Sequence, residues 1–359
     1  MAVAGDALHD HRHHELDEHH EQGQAPLGRR LLAEFVGTLL FVAVGTGAAT
    51  VLALGPLREF LAVEESAGGA GSLGPQSQLI QSLTASTFGD LLGVAFAFAF
   101  ALTFLVYALG GVSGAHFNPA VTFALAVARR FRWTELPLYW IAQVLGGIAG
   151  AFVVAGIYGQ DGAALGATDI LFGATTVSND VTQWQALLSE AFIAFILMTA
   201  IMAVAVDHRA PKGWSGLVIG LGLASGIMVT GAATGGSANF ARSLGPFVAS
   251  LVYEVNRIPW SDLIVYSAGP LIGAAAAALV YESVTGLERS APAPEPGAAT
   301  HDEDLHDHAD TGAASGVGST GAGTAAGGVG GTTATQSSVT PGLAPTGDDP
   351  APPTGGPKI

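Results

Sequence analysis

Apolar residues fall into six long runs parted by short polar breaks: Leu31–Leu54, Leu91–Gly111, Leu136–Tyr158, Trp184–Val206, Gly216–Gly235 and Leu263–Val284. Each is about 20 residues or longer, enough for an α-helix to cross a hydrocarbon layer of about 30 Å. The pattern therefore predicts an all-α membrane protein with six transmembrane helices. Two further stretches, Phe117–Ala128 and Phe240–Val252, are shorter. At about 12 residues each they reach roughly 18 Å, half the layer.

A run of small residues ending in asparagine precedes or opens each short stretch. The first reads Ser113-Gly114-Ala115-His116-Phe117-Asn118-Pro119-Ala120-Val121-Thr122, the second Gly236-Ser237-Ala238-Asn239-Phe240-Ala241-Arg242-Ser243. Repetition of an interrupted segment predicts an inverted repeat, with halves at about 31–159 and 184–288 and two re-entrant half-helices meeting at the bilayer midplane. Non-helical backbone at that depth is tolerated only where protein buries it or a water-filled cavity wets it, so a polar path is expected. Asn118 and Asn239 are placed to cap the half-helices, where unpaired N–H groups and the positive dipole ends lie. Pro119 at the first helical position loses nothing, because its missing N–H has no partner there. Two such ends face to face repel cations and offer amide donors to a neutral solute.

Composition agrees. The chain of 359 residues is 49% hydrophobic, 12% charged and holds 50 glycines, which let membrane helices approach closely. It has no cysteine, which removes disulfides and thiolate chemistry. The polar N-terminus does not resemble a removable signal peptide. Of the 29 acids, six precede Leu31 and eight follow Arg289, so the net charge of −16 belongs largely to the ends. Residues 1–30 and 289–359 are predicted to be disordered cytoplasmic tails around a channel domain at 31–288. The acidic balance argues against a nucleic-acid partner. Arg29, Arg30, Arg129, Arg130, Arg132, Arg209, Lys212 and Arg289 all fall on one side if both termini are cytoplasmic, leaving Arg58, Arg242 and Arg257 as exceptions. The Gly-rich connection 55–90 then lies outside.

These motifs, with Ala33-Glu34-Phe35-Val36-Gly37-Thr38, Gln143 and Gly269-Pro270, resemble those of the aquaporins, or major intrinsic proteins, over roughly residues 29–288. The resemblance implies a passive plasma-membrane channel for water and small neutral solutes, closed to protons and ions and assembled as a homotetramer among membrane lipid. It implies a pore motif of Asn118, Pro119, Ala120, Asn239, Phe240 and Ala241. It also implies a selectivity constriction of Phe98, Ile227, Gly236 and Arg242. Phe240 stands where the family usually has Pro, which either repacks the junction neutrally or narrows or tilts it. Water-selective members usually have His at the position of Ile227; aquaglyceroporins have a second aromatic, and Asp after the Arg, where this chain has Ser243. The pattern looks closest to archaeal-type aquaporins, and Ser267 replaces a Trp common in water channels.

Glu34 and Glu190 are the acids well inside a span, and intramembrane carboxylates are costly and usually functional. Each is placed to accept hydrogen bonds from the loop leading to its half-helix, as the resemblance also implies; a proton relay would need further acids between them. Two other functions compete with a channel: a secondary transporter with an inverted repeat, and a metal-responsive membrane protein using the tail histidines (His9, His11, His13, His14, His19, His20, His301, His306, His308). The transporter lacks coupling charges at the midplane, and the tail histidines lack a fixed geometry. No nucleophile–base pair or metal cage appears in the membrane region, so an enzyme, a cofactor and a structural metal are not expected.

Overall fold

The computed structural model of the chain describes residues 25–66, 88–165, 168–255 and 257–287. The α-helices among them are α1 (Leu27–Ser66), α2 (Phe88–Ser113), α3 (Pro119–Val127), α4 (Leu136–Ala163), α5 (Gln183–Ile201), α6 (Ser215–Thr234), α7 (Phe240–Val252) and α8 (Leu263–Thr285). Six are long and apolar enough to span a bilayer, and α3 and α7 are the two half-helices. A two-residue ladder, β1 (Ala164–Leu165) with β2 (Thr168–Asp169), closes the turn after α4.

Polarity is inverted relative to a protein in water. Leu32, Phe100, Ile157, Leu188, Val229 and Ile264 face outward, each more than half exposed. Glu34, Asn118, Gln143, Glu190, Asn239 and Arg242 are buried. A chain with this surface is a multi-pass membrane protein.

The repeat governs the packing. α1 packs on α4 as α5 packs on α8, and each half-helix lies against the third long helix of the opposite half: α3 on α8, α7 on α4. Small residues make this possible. A Cβ on Gly146 would run into the Phe35 carbonyl of α1, and one on Gly273 into the Ala191 carbonyl of α5. Those four residues occupy equivalent places in the two halves.

Three boundaries differ from the apolar pattern. Helix α1 starts at Leu27, inside the segment read as tail, and continues past Leu54 through Gly55 and Pro56 to Ser66, which shortens the expected 55–90 connection. The first half-helix starts at Pro119 and not Phe117, because Asn118 is extended (φ −154°) and Phe117 has φ 48°. The fourth span ends in a π-turn, Met202–Val206, closed by Asp207 N–H donating to the Met202 carbonyl at 2.9 Å. Residues 1–24 and 288–359, with the tail histidines, lie outside the described residues.

Candidate functional site

The two half-helices meet N-terminus to N-terminus. Asn118 Oδ1 accepts from Ala120 N–H at 2.9 Å, and Asn239 Oδ1 from Ala241 N–H at 3.0 Å. Each amide nitrogen then reaches across: Asn118 Nδ2 donates to the Ala238 carbonyl at 2.8 Å, and Asn239 Nδ2 to the Phe117 carbonyl at 2.9 Å. A primary amide carries two N–H donors, so each side chain has a second one beyond this cross-bond. Both asparagines line a cavity of about 350 Å³ whose walls include Phe41, Leu102, Val121 and Leu223 and which extends to Arg130 and Val206. The π-turn places Ala205 and Val206 on its wall.

The loops into this junction are held by the buried acids. Glu34 accepts from Ser113 Oγ (2.6 Å), His116 N–H (3.0 Å), Phe117 N–H (2.7 Å) and Gln143 Nε2 (2.8 Å). Glu190 accepts from Thr234 Oγ1 (2.7 Å), Ser237 N–H (3.0 Å) and Ala238 N–H (2.8 Å). The loops need such anchors, since Ala115, Phe117 and Ala238 all have positive φ, which costs a side-chain-bearing residue energy. Tyr139 and Tyr266 complete the symmetry, donating to the carbonyls of Ser113 and Thr234 at 2.9 and 2.7 Å. Sequence alone does not single out either tyrosine, although their equal register in the two halves marks them.

The four expected constriction residues appear as two contacts. The Arg242 guanidinium carbon lies 4.8 Å from the Phe98 ring centroid, and a Cβ on Gly236 would sit 3.1 Å from Ile227 Cα. Arg242 also donates Nη1 to the Gly173 carbonyl at 3.1 Å. That carbonyl comes from a tight segment with positive φ at Leu171, Phe172 and Gly173, which sequence reasoning missed. Thr175, just after it, shares a 2.7 Å hydrogen bond with Ser243 of α7. Only Gly173 gave a hint, and isolated glycines are common here.

Phe240 does not line the 350 Å³ cavity. With Pro119 and Ala120 it borders a separate apolar pocket between α4 and α8. Beyond the spans, Arg209 binds Asp207 through Nε and Nη2 at 2.8 and 2.6 Å. These hydrogen bonds hold the Asp207 carboxyl well below the usual carboxylate range. They fix the turn that follows Val206.

Comparison with known proteins agrees with this geometry. The family model for the major intrinsic proteins matches residues 21–281. The aquaporin AqpM of Methanothermobacter marburgensis is 37% identical over 259 residues, 72% of this chain and 98% of that protein. The probable aquaporin AqpM of Archaeoglobus fulgidus is 38% identical over 255 residues, 71% and 96% of the two chains. In structure, the aquaglyceroporin of Plasmodium falciparum superposes with a TM-score of 0.57 at 22% identity, covering 72% of this chain and 97% of that one, a likeness of fold.

Proposed function

The chain belongs to the major intrinsic protein family, and from that premise we propose that it is a passive channel conducting water, with slower passage of small neutral solutes such as glycerol, past Asn118 and Asn239. The observation that carries this reading is the reciprocal bonding of the two asparagines. Each amide is fixed by its own half-helix and by the opposite loop, and each keeps an N–H for a passing solute. Two helix N-termini converge on the same point, so the local potential is positive. Water meets donors there in place of the acceptors a moving proton needs, and cations are repelled.

Phe98, Ile227, Gly236 and Arg242 form the selectivity constriction in this reading. Arg242 is buried, and its charge in a low-dielectric surround is weakly screened, which opposes cation entry. Ile227 contributes an apolar side chain to that constriction and Gly236 none. Pro119, Ala120, Phe240 and Ala241 build the junction, and Glu34 and Glu190 are loop anchors. The acids' hydrogen bonds to the loops weigh against a transporter, because neither acid borders the cavity.

The same reading places the protein in the plasma membrane as a homotetramer among lipids, with both termini cytoplasmic and the segments before Leu27 and after Glu288 outside the conduction machinery. Stopped-flow light scattering of proteoliposomes, with water, glycerol and proton fluxes in parallel, tests it. Fast water flux without proton flux is expected. Proton- or sodium-coupled uptake would instead establish a transporter.

A further inference from the structure

The apolar pocket between α4 and α8 shares no lining residue with the cavity at Asn118 and Asn239. It measures about 240 Å³ and is lined by Pro119, Trp140, Val144, Phe240, Ser267 and Leu271 among others, with an entirely apolar surface. The polar groups of its wall are turned away. Trp140 Nε1 donates to the Pro119 carbonyl at 3.0 Å, Tyr266 Oη to the Thr234 carbonyl at 2.7 Å, and Ser267 Oγ to the Ile264 carbonyl at 3.0 Å.

The internal repeat explains why the space exists. Tyr139 and Tyr266 make the same hydrogen bond in the two halves, so Trp140 and Ser267, which follow them, are equivalent positions. Pro119 and Phe240 are likewise equivalent as the first residues of α3 and α7. The first half pairs a large indole with a small ring; the second pairs a large ring with a hydroxymethyl group. With Ser267 in place of a second indole, the space beside Phe240 stays open.

Depth and surroundings say what fills it. Pro119 and Phe240 start the two half-helices, so the pocket lies where they meet, near the midplane. Around it Ile141 and Leu145 of α4 and Ile264 and Ile272 of α8 are each more than half exposed. The medium at such a surface and depth is hydrocarbon. Apolar cavities of about 150 Å³ already take a benzene-sized guest. We propose that this pocket is a binding site for the end of a lipid acyl chain, seated against Trp140 and Phe240 beside the half-helix junction.

Trp140 is the reporter. With Trp133, Trp184, Trp214 and Trp260 replaced by Phe, the full chain is reconstituted in phosphatidylcholine brominated near the chain terminus, or near the carboxyl group. Terminal bromines should quench Trp140 fluorescence several-fold more strongly. Filling the pocket by Ser267→Phe, or one turn further along α8 by Leu271→Phe, should cut that quenching several-fold; elution as the native oligomer shows which variant is folded. Equal quenching by the two lipids overturns the proposal, as does quenching that survives in the folded filled variant. Absence of quenching by either lipid also overturns it, and points to a second copy of the chain over this face.

Discussion

The Arg242 guanidinium carbon stands 4.8 Å from the centroid of the Phe98 ring, while its Nη1 is tied to the Gly173 carbonyl at 3.1 Å. Ring and carbonyl come from different elements, α2 and the segment after β2. Together they hold the charge in one place without a direct ion pair: among the described residues no carboxylate oxygen lies within 4.0 Å of Arg242, and Glu190 acts on it only from further away. A neutralising partner would cancel the field that opposes cations.

Arg242→Val should therefore raise proton or cation leak and leave neutral-solute flux intact. Proteoliposomes loaded with a pH-sensitive dye measure it. An unchanged leak in folded protein would remove Arg242 from the exclusion machinery.

The buried acids act on stability. All of Glu34's partners and all of Glu190's donate, so a glutamine at either site turns an N–H toward another donor. An unsatisfied buried group costs about 1–3 kcal/mol, so Glu34→Gln and Glu190→Gln should each lower the thermal midpoint in detergent. Equal midpoints for wild type and both variants would show that the loops are held by other means.

These anchors also mark what the sequence made legible. The spans, the half-helices, Asn118, Asn239, Glu34 and Glu190 were readable because a polar group at membrane depth is exceptional in a charge-poor chain. The Gly173 carbonyl was not readable, since any residue has a carbonyl and only tertiary packing forces Leu171 and Phe172 to positive φ. The length of α1 was hidden for the opposite reason. Gly55 and Pro56 read as a helix end, yet the helical backbone runs through them. Local breakers lost to a preference that is not local.

Phe240 should tune the junction without closing it, because it borders the outer pocket and Asn239 still caps α7. Phe240→Pro should fold and conduct water at a modestly altered rate, since proline suits the first helical position. Stopped-flow permeability normalised to protein content decides. An inactive native channel rescued by this substitution would identify Phe240 as a plug.

The ends should be dispensable. Their composition provides no core, so a protein of residues 25–292 is expected to keep its per-channel water permeability. A large loss from a monodisperse sample would show that a tail acts on the pore, and metal titration of the intact chain would then test the histidines.

The last expectation concerns width. A histidine at position 227 would bring a polar ring and a donor to the constriction; Ile227 brings neither, and Gly236 beside it has no side chain. A constriction that combines the Arg242 donors with an apolar Ile227 matches a solute with one polar and one apolar edge. Selectivity by pore width and lining donors relaxes on both counts. Water should pass fast and glycerol measurably but more slowly, with Ile227→His reducing the glycerol flux more than the water flux. Ser243 argues the other way, since water channels share it, and its hydroxyl is engaged by Thr175 and Ser237 at 2.7 and 2.6 Å. Those bonds brace the start of α7 and turn the Ser243 hydroxyl toward Thr175 and Ser237. If native protein and Ile227→His both hold glycerol flux at the level of empty liposomes, the constriction is a water-only filter despite its isoleucine.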